Sequence, residues 1–193
     1  MKGYYKLRKE TLDILNKGLS KKLYYHGIHH TQNALHTSKQ YLECDNIDGE
    51  EAKIVRIGIL LHDIGFTVSN KDHEVESVII AKRLMYKHGF TDKQFSKVKG
   101  LIMATRIPQS PNTPLERIIC DVDLDYLGRD DFYEKSDQLF KELKAFSVLK
   151  NKNEWNTIQI EFMENHQYHT AYGIKNRQPE KEKRISELKS LLK

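Results

Sequence analysis

Apolar residues return along this chain at three- and four-residue intervals. Alternating apolar and polar positions bounded by Asn-Gly or Asp-Gly turns are absent, so the pattern predicts an all-α fold. Leu7, Leu12, Ile14, Leu15 and Leu19 mark the inner side of a first helix over about 6–23, and a second is expected over 28–42. Asp48 is a candidate N-cap for a third helix that runs to His62, and a fourth covers 73–87 before Gly89. Thr91 and Asp92 open a fifth, which Pro108 and Pro111 end. Thr113-Pro114 fits the N-cap and first position of a sixth, broken at Gly128. A seventh is expected over 130–150 and an eighth over 154–167. After Pro179 the amphipathic stretch through Ile185, Leu188, Leu191 and Leu192 forms a terminal helix. The expectation is one helical bundle of about seven to nine helices spanning 1–193, with no repeats and no Pro/Gly/Ser-rich linker.

One of these helices ends on an anomaly. Ile54, Val55, Ile57, Ile59, Leu60 and Leu61 run almost unbroken into His62-Asp63 before Gly65 ends the element. A segment this apolar belongs in a core, where an imidazole and a carboxylate cost several kcal/mol, roughly, without a hydrogen bond, counter-charge or metal.

Composition narrows the classes. With 38% hydrophobic and 31% charged residues, the 193-residue chain suits a soluble protein with a sizeable core, and no apolar stretch reaches membrane-spanning length. Cys44 and Cys120 have neither CxxC nor finger spacing and read as free thiols. No apolar leader follows the basic residues of Met1 to Arg8, so the cytoplasm is the expected location. The net charge of +5 suits anionic substrates, but its lysines and arginines are scattered as on an ordinary solvated surface.

Three further segments bear on His62-Asp63. On the second helix, Thr31, Ala34, Leu35, Ser38, Tyr41 and Leu42 form the inward arc; His30 lies at its edge, while His29 and His36 fall on the solvent side. His26 precedes the helix, within reach of a pocket. In Cys120-Asp121-Val122-Asp123-Leu124-Asp125, Asp121 and Asp125 share one side of a helix and Asp123 points the other way. Periodicity does not decide whether Asp121 or Asp123 faces His62; one should ligate and another support it. Two imidazoles and two carboxylates would match one divalent ion with open positions. Mn²⁺, Fe²⁺, Co²⁺, Ni²⁺ or Mg²⁺ suit the set better than structural Zn²⁺, which it also admits.

The segments Tyr25-His26-Gly27-Ile28-His29-His30, Leu61-His62-Asp63-Ile64-Gly65 and Asp121-Val122-Asp123-Leu124 together resemble the HD-domain superfamily of metal-dependent phosphohydrolases. The resemblance covers about 23–130, leaving 131–193 as a C-terminal helical extension expected to pack on that metal-binding core. It implies metal ligands at His30, His62, Asp63 and one acid of the last segment, Asp123 by family habit with Asp121 as the alternative. Two-metal members carry further histidines before the last aspartate, where this chain reads Ala104-Thr105-Arg106-Ile107-Pro108. One ion, and hydrolysis over oxygenation, are therefore expected.

The resemblance implies cleavage of a phosphate ester, mono- or diester, of a nucleotide or other small phosphorylated molecule by metal-activated water. Asp63 joins that chemistry as a ligand; Asp121 or Glu74 is the candidate general base. His26, Lys71, His73 and Arg106 are candidates for binding the substrate. Trp155, Ile158 and Phe162 form a stripe read as core packing, with His166 and His169 as helix-end cations or, alternatively, as part of a substrate-pocket lid with Tyr168, Thr170 and Arg177. An alternative function is a nucleotide-binding regulatory module that keeps the metal without turnover. Nucleic-acid binding ranks last because the basic residues do not cluster, and nothing in the sequence argues against a homodimer.

Overall fold

A computed structural model describes residues 2–192 and contains helices but no strand among them. In chain order these are α1 (Lys2–Gly18), α2 (Ile28–Cys44), α3 (Gly49–Leu61), α4 (His73–Lys87), α5 (Asp92–Ala104) and α6 (Pro114–Asp123). Then come α7 (Phe132–Ala145), α8 (Lys152–Asn165), α9 (Ala171–Asn176) and α10 (Gln178–Leu191), with 3-10 turns at Ile64–Thr67 and Asp125–Gly128. Ten α-helices exceed the expected seven to nine. The additional one is α9, whose six residues are too few to show a helical period; Thr170 caps it, its Oγ accepting from Gly173 N at 3.0 Å. The sixth helix also ends at Asp123, before Gly128, because the backbone tightens into the 3-10 turn.

Helix α3 is the axis of the larger core. Val55, Ile57 and Leu61 are fully buried and pack with residues of α1, α2, α4, α5 and α6. The caps foreseen at Thr91 and Thr113 are both complete capping boxes, closed by Gln94 and Glu116. Beyond α3 the chain turns against α4 so closely that a Cβ on Gly65 would lie 1.9 Å from His73 O, which only glycine avoids. Buried Ser77 braces that turn: its Oγ donates to His62 O and accepts from Gly65 N at 2.8 Å. The exit of His62-Asp63 from α3 and the start of α4 at His73 are thereby held in one register.

A second apolar cluster joins Leu124, Leu127 and Phe132 to Ile160, Met163 and Leu188. Polar contacts tie it to the first. Asp125, 1% exposed, accepts from Tyr41 Oη at 2.7 Å and from Arg177 Nε at 2.6 Å, and Arg129 lies beside it. Burying this carboxylate is tolerable only because it is paired and hydrogen-bonded. No helix is long and apolar enough to cross a membrane among the described residues.

His166 is the C-cap residue of α8, not a helix-end cation. Burial, with Lys181 and His169 nearby, pushes its pKa down to about 3, so the ring is neutral. Lys181, fully buried, donates to His166 O. Between pH 6.5 and about 3 the unfolded chain takes up a proton at this position that the folded chain refuses, so stability falls as pH falls through that window. In urea titrations from pH 7 to 4, His166→Gln is expected to lose stability less steeply than the parent, the difference reaching roughly a few kcal/mol.

Candidate metal centre

At the end of α3, one donor atom each from His30, His62 and Asp123 lie within 4.8 Å of one another, a grouping found only here among the described residues. The two Nε2 atoms are 3.3 Å apart, and Asp123 Oδ1 is 3.0 Å from His30 Nε2 and 3.3 Å from His62 Nε2. Asp63 Oδ2 completes the arrangement at 3.5 Å from His30 Nε2 and 3.2 Å from His62 Nε2. Each member comes from a different element: His30 from the first turn of α2, His62 and Asp63 from the end of α3, Asp123 from the last residue of α6.

The protonation logic favours a cation at this point. His62 Nδ1 lies 2.7 Å from Ile59 O, which can only accept, so Nδ1 carries a hydrogen and the neutral ring turns its Nε2 lone pair inward. Burial opposes a charge on His62, but Asp63 and Asp123 outweigh it and raise its pKa well above the ordinary value. Asp63 is likewise drawn well below the usual carboxylate range against its burial, chiefly by His62. Even so, Asp63 Oδ2 is buried with no hydrogen-bond partner. An orphaned carboxylate oxygen facing two imidazole nitrogens fits a divalent ion.

The alternation in the aspartate segment separates its members. Asp123 faces the histidines. Asp121, fully buried, turns away: its carboxylate accepts from His169 N at 2.8 Å, Thr170 N at 2.9 Å and Thr170 Oγ at 2.7 Å. The expected role of Asp121 as a general base, or as alternative ligand, is therefore corrected; it anchors the segment before α9. His73 Nε2 lies 3.4 Å from Asp63 Oδ1 and 3.6 Å from Glu74 Oε1, and Glu74 is buried. His26 stacks on Phe66 at 4.4 Å and Phe66 on His73 at 3.9 Å, forming one wall of aromatic rings. Arg106 and Lys71 do not join them. Arg106 is exposed and pairs with Asp72, and Lys71 is exposed in the same loop. His29 and His36 are exposed as well.

A family model described as HD domain matches residues 27–125, just over half of the chain. The chain belongs to the HD-domain family. Its domains are typically metal-dependent hydrolases, and the His/Asp cluster lies within the matched residues. No curated protein and no solved structure is a significant match.

Two features of this HD-domain chain escaped sequence reasoning. Glu142 of α7, 3% exposed, pairs with His26 Nδ1 and accepts from Tyr25 N at 2.8 Å and His26 N at 3.0 Å. Burial opposes charge on both partners, yet the pairing wins, raising the His26 pKa and lowering that of Glu142. The available signal was an acid on the stripe shared by Leu139 and Leu143 at helical spacing. The second feature is the stripe Trp155, Ile158 and Phe162. Trp155 is buried and Phe162 packs against the second apolar cluster as expected, but the stripe also lines a cleft of ≈ 400 Å³ that Asp63, Glu74 and Asp123 border.

Asp121→Ala would leave two backbone N–H groups and the Thr170 hydroxyl without their acceptor. Its free energy of unfolding in urea is expected to drop by about 1–3 kcal/mol.

Proposed function

We propose that the chain is a metal-dependent phosphohydrolase that cleaves a phosphate ester of a small molecule, with one divalent ion held by His30, His62, Asp63 and Asp123. The observation that carries this reading is Asp63 Oδ2, buried without a partner beside two Nε2 atoms 3.3 Å apart. The donor set, two imidazoles and two carboxylates, suits Mn²⁺, Fe²⁺, Co²⁺, Ni²⁺ or Mg²⁺ and admits Zn²⁺. Such an ion, when bound, polarises a phosphoryl oxygen and lowers the pKa of a water in the site from about 15.7 towards 7.

The chain's own groups divide the proton transfers. Glu74, buried on the same cleft with His73 between it and Asp63, takes the proton from the attacking water in this reading. His26, whose pKa the Glu142 carboxylate raises against the opposing effect of burial, gives its proton to the departing oxygen. The water oxygen bonds to phosphorus, the ester P–O bond breaks, and an alcohol and inorganic phosphate leave. In this reading residues 131–193 complete the 23–130 core, since they supply Glu142 and one wall of the cleft.

Purified protein is expected to carry a transition metal or to require added Mn²⁺ for phosphate release. His62→Ala, Asp63→Ala and Asp123→Ala should each lose both metal content and turnover. Retention of both in all three would overturn the assignment. His26→Asn should keep its metal while kcat falls by about 10²–10⁴-fold.

A further inference from the structure

Helix α4 turns two apolar faces in different directions. One carries Ile80, Ala81, Leu84 and Met85 into the larger core. The other exposes Val75, Ile79 and Tyr86, with Ile79 at its middle 59% exposed. These three are four and seven residues apart, so they line up as one stripe along the outside of the helix. Single surface hydrophobes are ordinary, but a contiguous stripe marks a contact surface.

The charges beside the stripe say what fits it. On α4, Glu74 lies against His73, Lys87 pairs with Glu10 and Lys82 sits over the Tyr86 ring, whereas Glu76 and Arg83 have no ion-pair partner among the described residues. They are seven residues apart, about 10.5 Å along the axis, which is too far for them to pair with each other. Both lie on the same edge of the stripe, Glu76 about 4.5 Å before Ile79 and Arg83 about 6 Å after it. A second α4 running antiparallel, related by a two-fold axis at Ile79, reverses that order. It sets the partner's Arg83 opposite Glu76 and the partner's Glu76 opposite Arg83, while Ile79 meets its own counterpart. A parallel copy would instead bring Arg83 beside the partner's Lys82, a like charge.

We propose that the outer face of α4 is a dimer interface, in which a second copy of this chain packs antiparallel about Ile79 with Glu76 and Arg83 paired across it. The apolar stripe supplies the adhesion, and the two symmetry-related charge pairs fix orientation and partner. Because α4 opens with His73 and Glu74 on the cleft, the second copy braces from outside the helix that supplies both.

Sedimentation equilibrium of the full chain at low salt tests the interface. The parent is expected to dimerise with a micromolar Kd that rises with added salt. Ile79→Asp, Glu76→Arg and Arg83→Glu should each raise that Kd at least about 10-fold, since each sets an unmatched or like charge at the contact. The discriminating sample mixes the Glu76→Arg and Arg83→Glu chains. Both cross-pairs are restored between them, so the mixture is expected to dimerise with about the parent's affinity although neither chain does so alone. Circular dichroism checks the fold of each variant, and Ile79→Ser replaces Ile79→Asp should the aspartate unfold α4. A parent that stays monomeric at millimolar chain concentration overturns the proposal and leaves the stripe to a different protein. A dimer indifferent to the Ile79 substitution, or a mixture of folded variants that binds no better than either chain alone, overturns it too.

Discussion

Two imidazole nitrogens 3.3 Å apart, faced by one buried and one half-buried carboxylate, are stable inside a protein only if protons or a cation lie between them. Much of the fold around them serves to keep them there. The apolar length of α3 buries the group, Ser77 and Gly65 set where α3 stops, and Ile59 O fixes which nitrogen of His62 looks inward. Removing one member would leave the others as unpaired buried charge. The site and the stability of the α3 terminus are for that reason one problem.

The same economy shows in the aspartate segment. Three carboxylates at alternate positions look redundant in sequence, yet each has its own partners. Asp123 faces His30 and His62, Asp121 holds His169 and Thr170, and Asp125 holds Tyr41 and Arg177. One short stretch therefore fastens the C-terminal helices on one side while presenting a carboxylate to the two histidines on the other. The helical wheel had already opposed Asp123 to its two neighbours.

Sequence periodicity was enough for the helical class, for the capped starts of α5 and α6, and for turning His30 inward while His29 and His36 face solvent. It failed where the deciding partner is distant or the element short. Which side of the aspartate segment faces the histidines depends on His169 and Thr170, 48 and 49 residues away. Arg106 looks like a phosphate ligand until Asp72 is seen to claim it. Trp155 and Phe162 are core as read, but an apolar stripe does not reveal in sequence that it also borders a cleft. Helix α9 is too short to have a period at all.

The C-terminal helices are more than a lid on spare apolar surface. Glu142 grips the Tyr25 and His26 amides and the His26 ring together, so docking of α7 and the position of that imidazole are set by one carboxylate. A motion that lifted α7 would release the ring from the carboxylate that raises its pKa, and open the wall formed by Leu139 and Leu143. Loosening the extension would therefore disturb the His26 ring and the cleft wall at once, before the α3 core is touched. In a chain whose family match ends at residue 125, that coupling gives the remaining helices a physical reason to belong to the site.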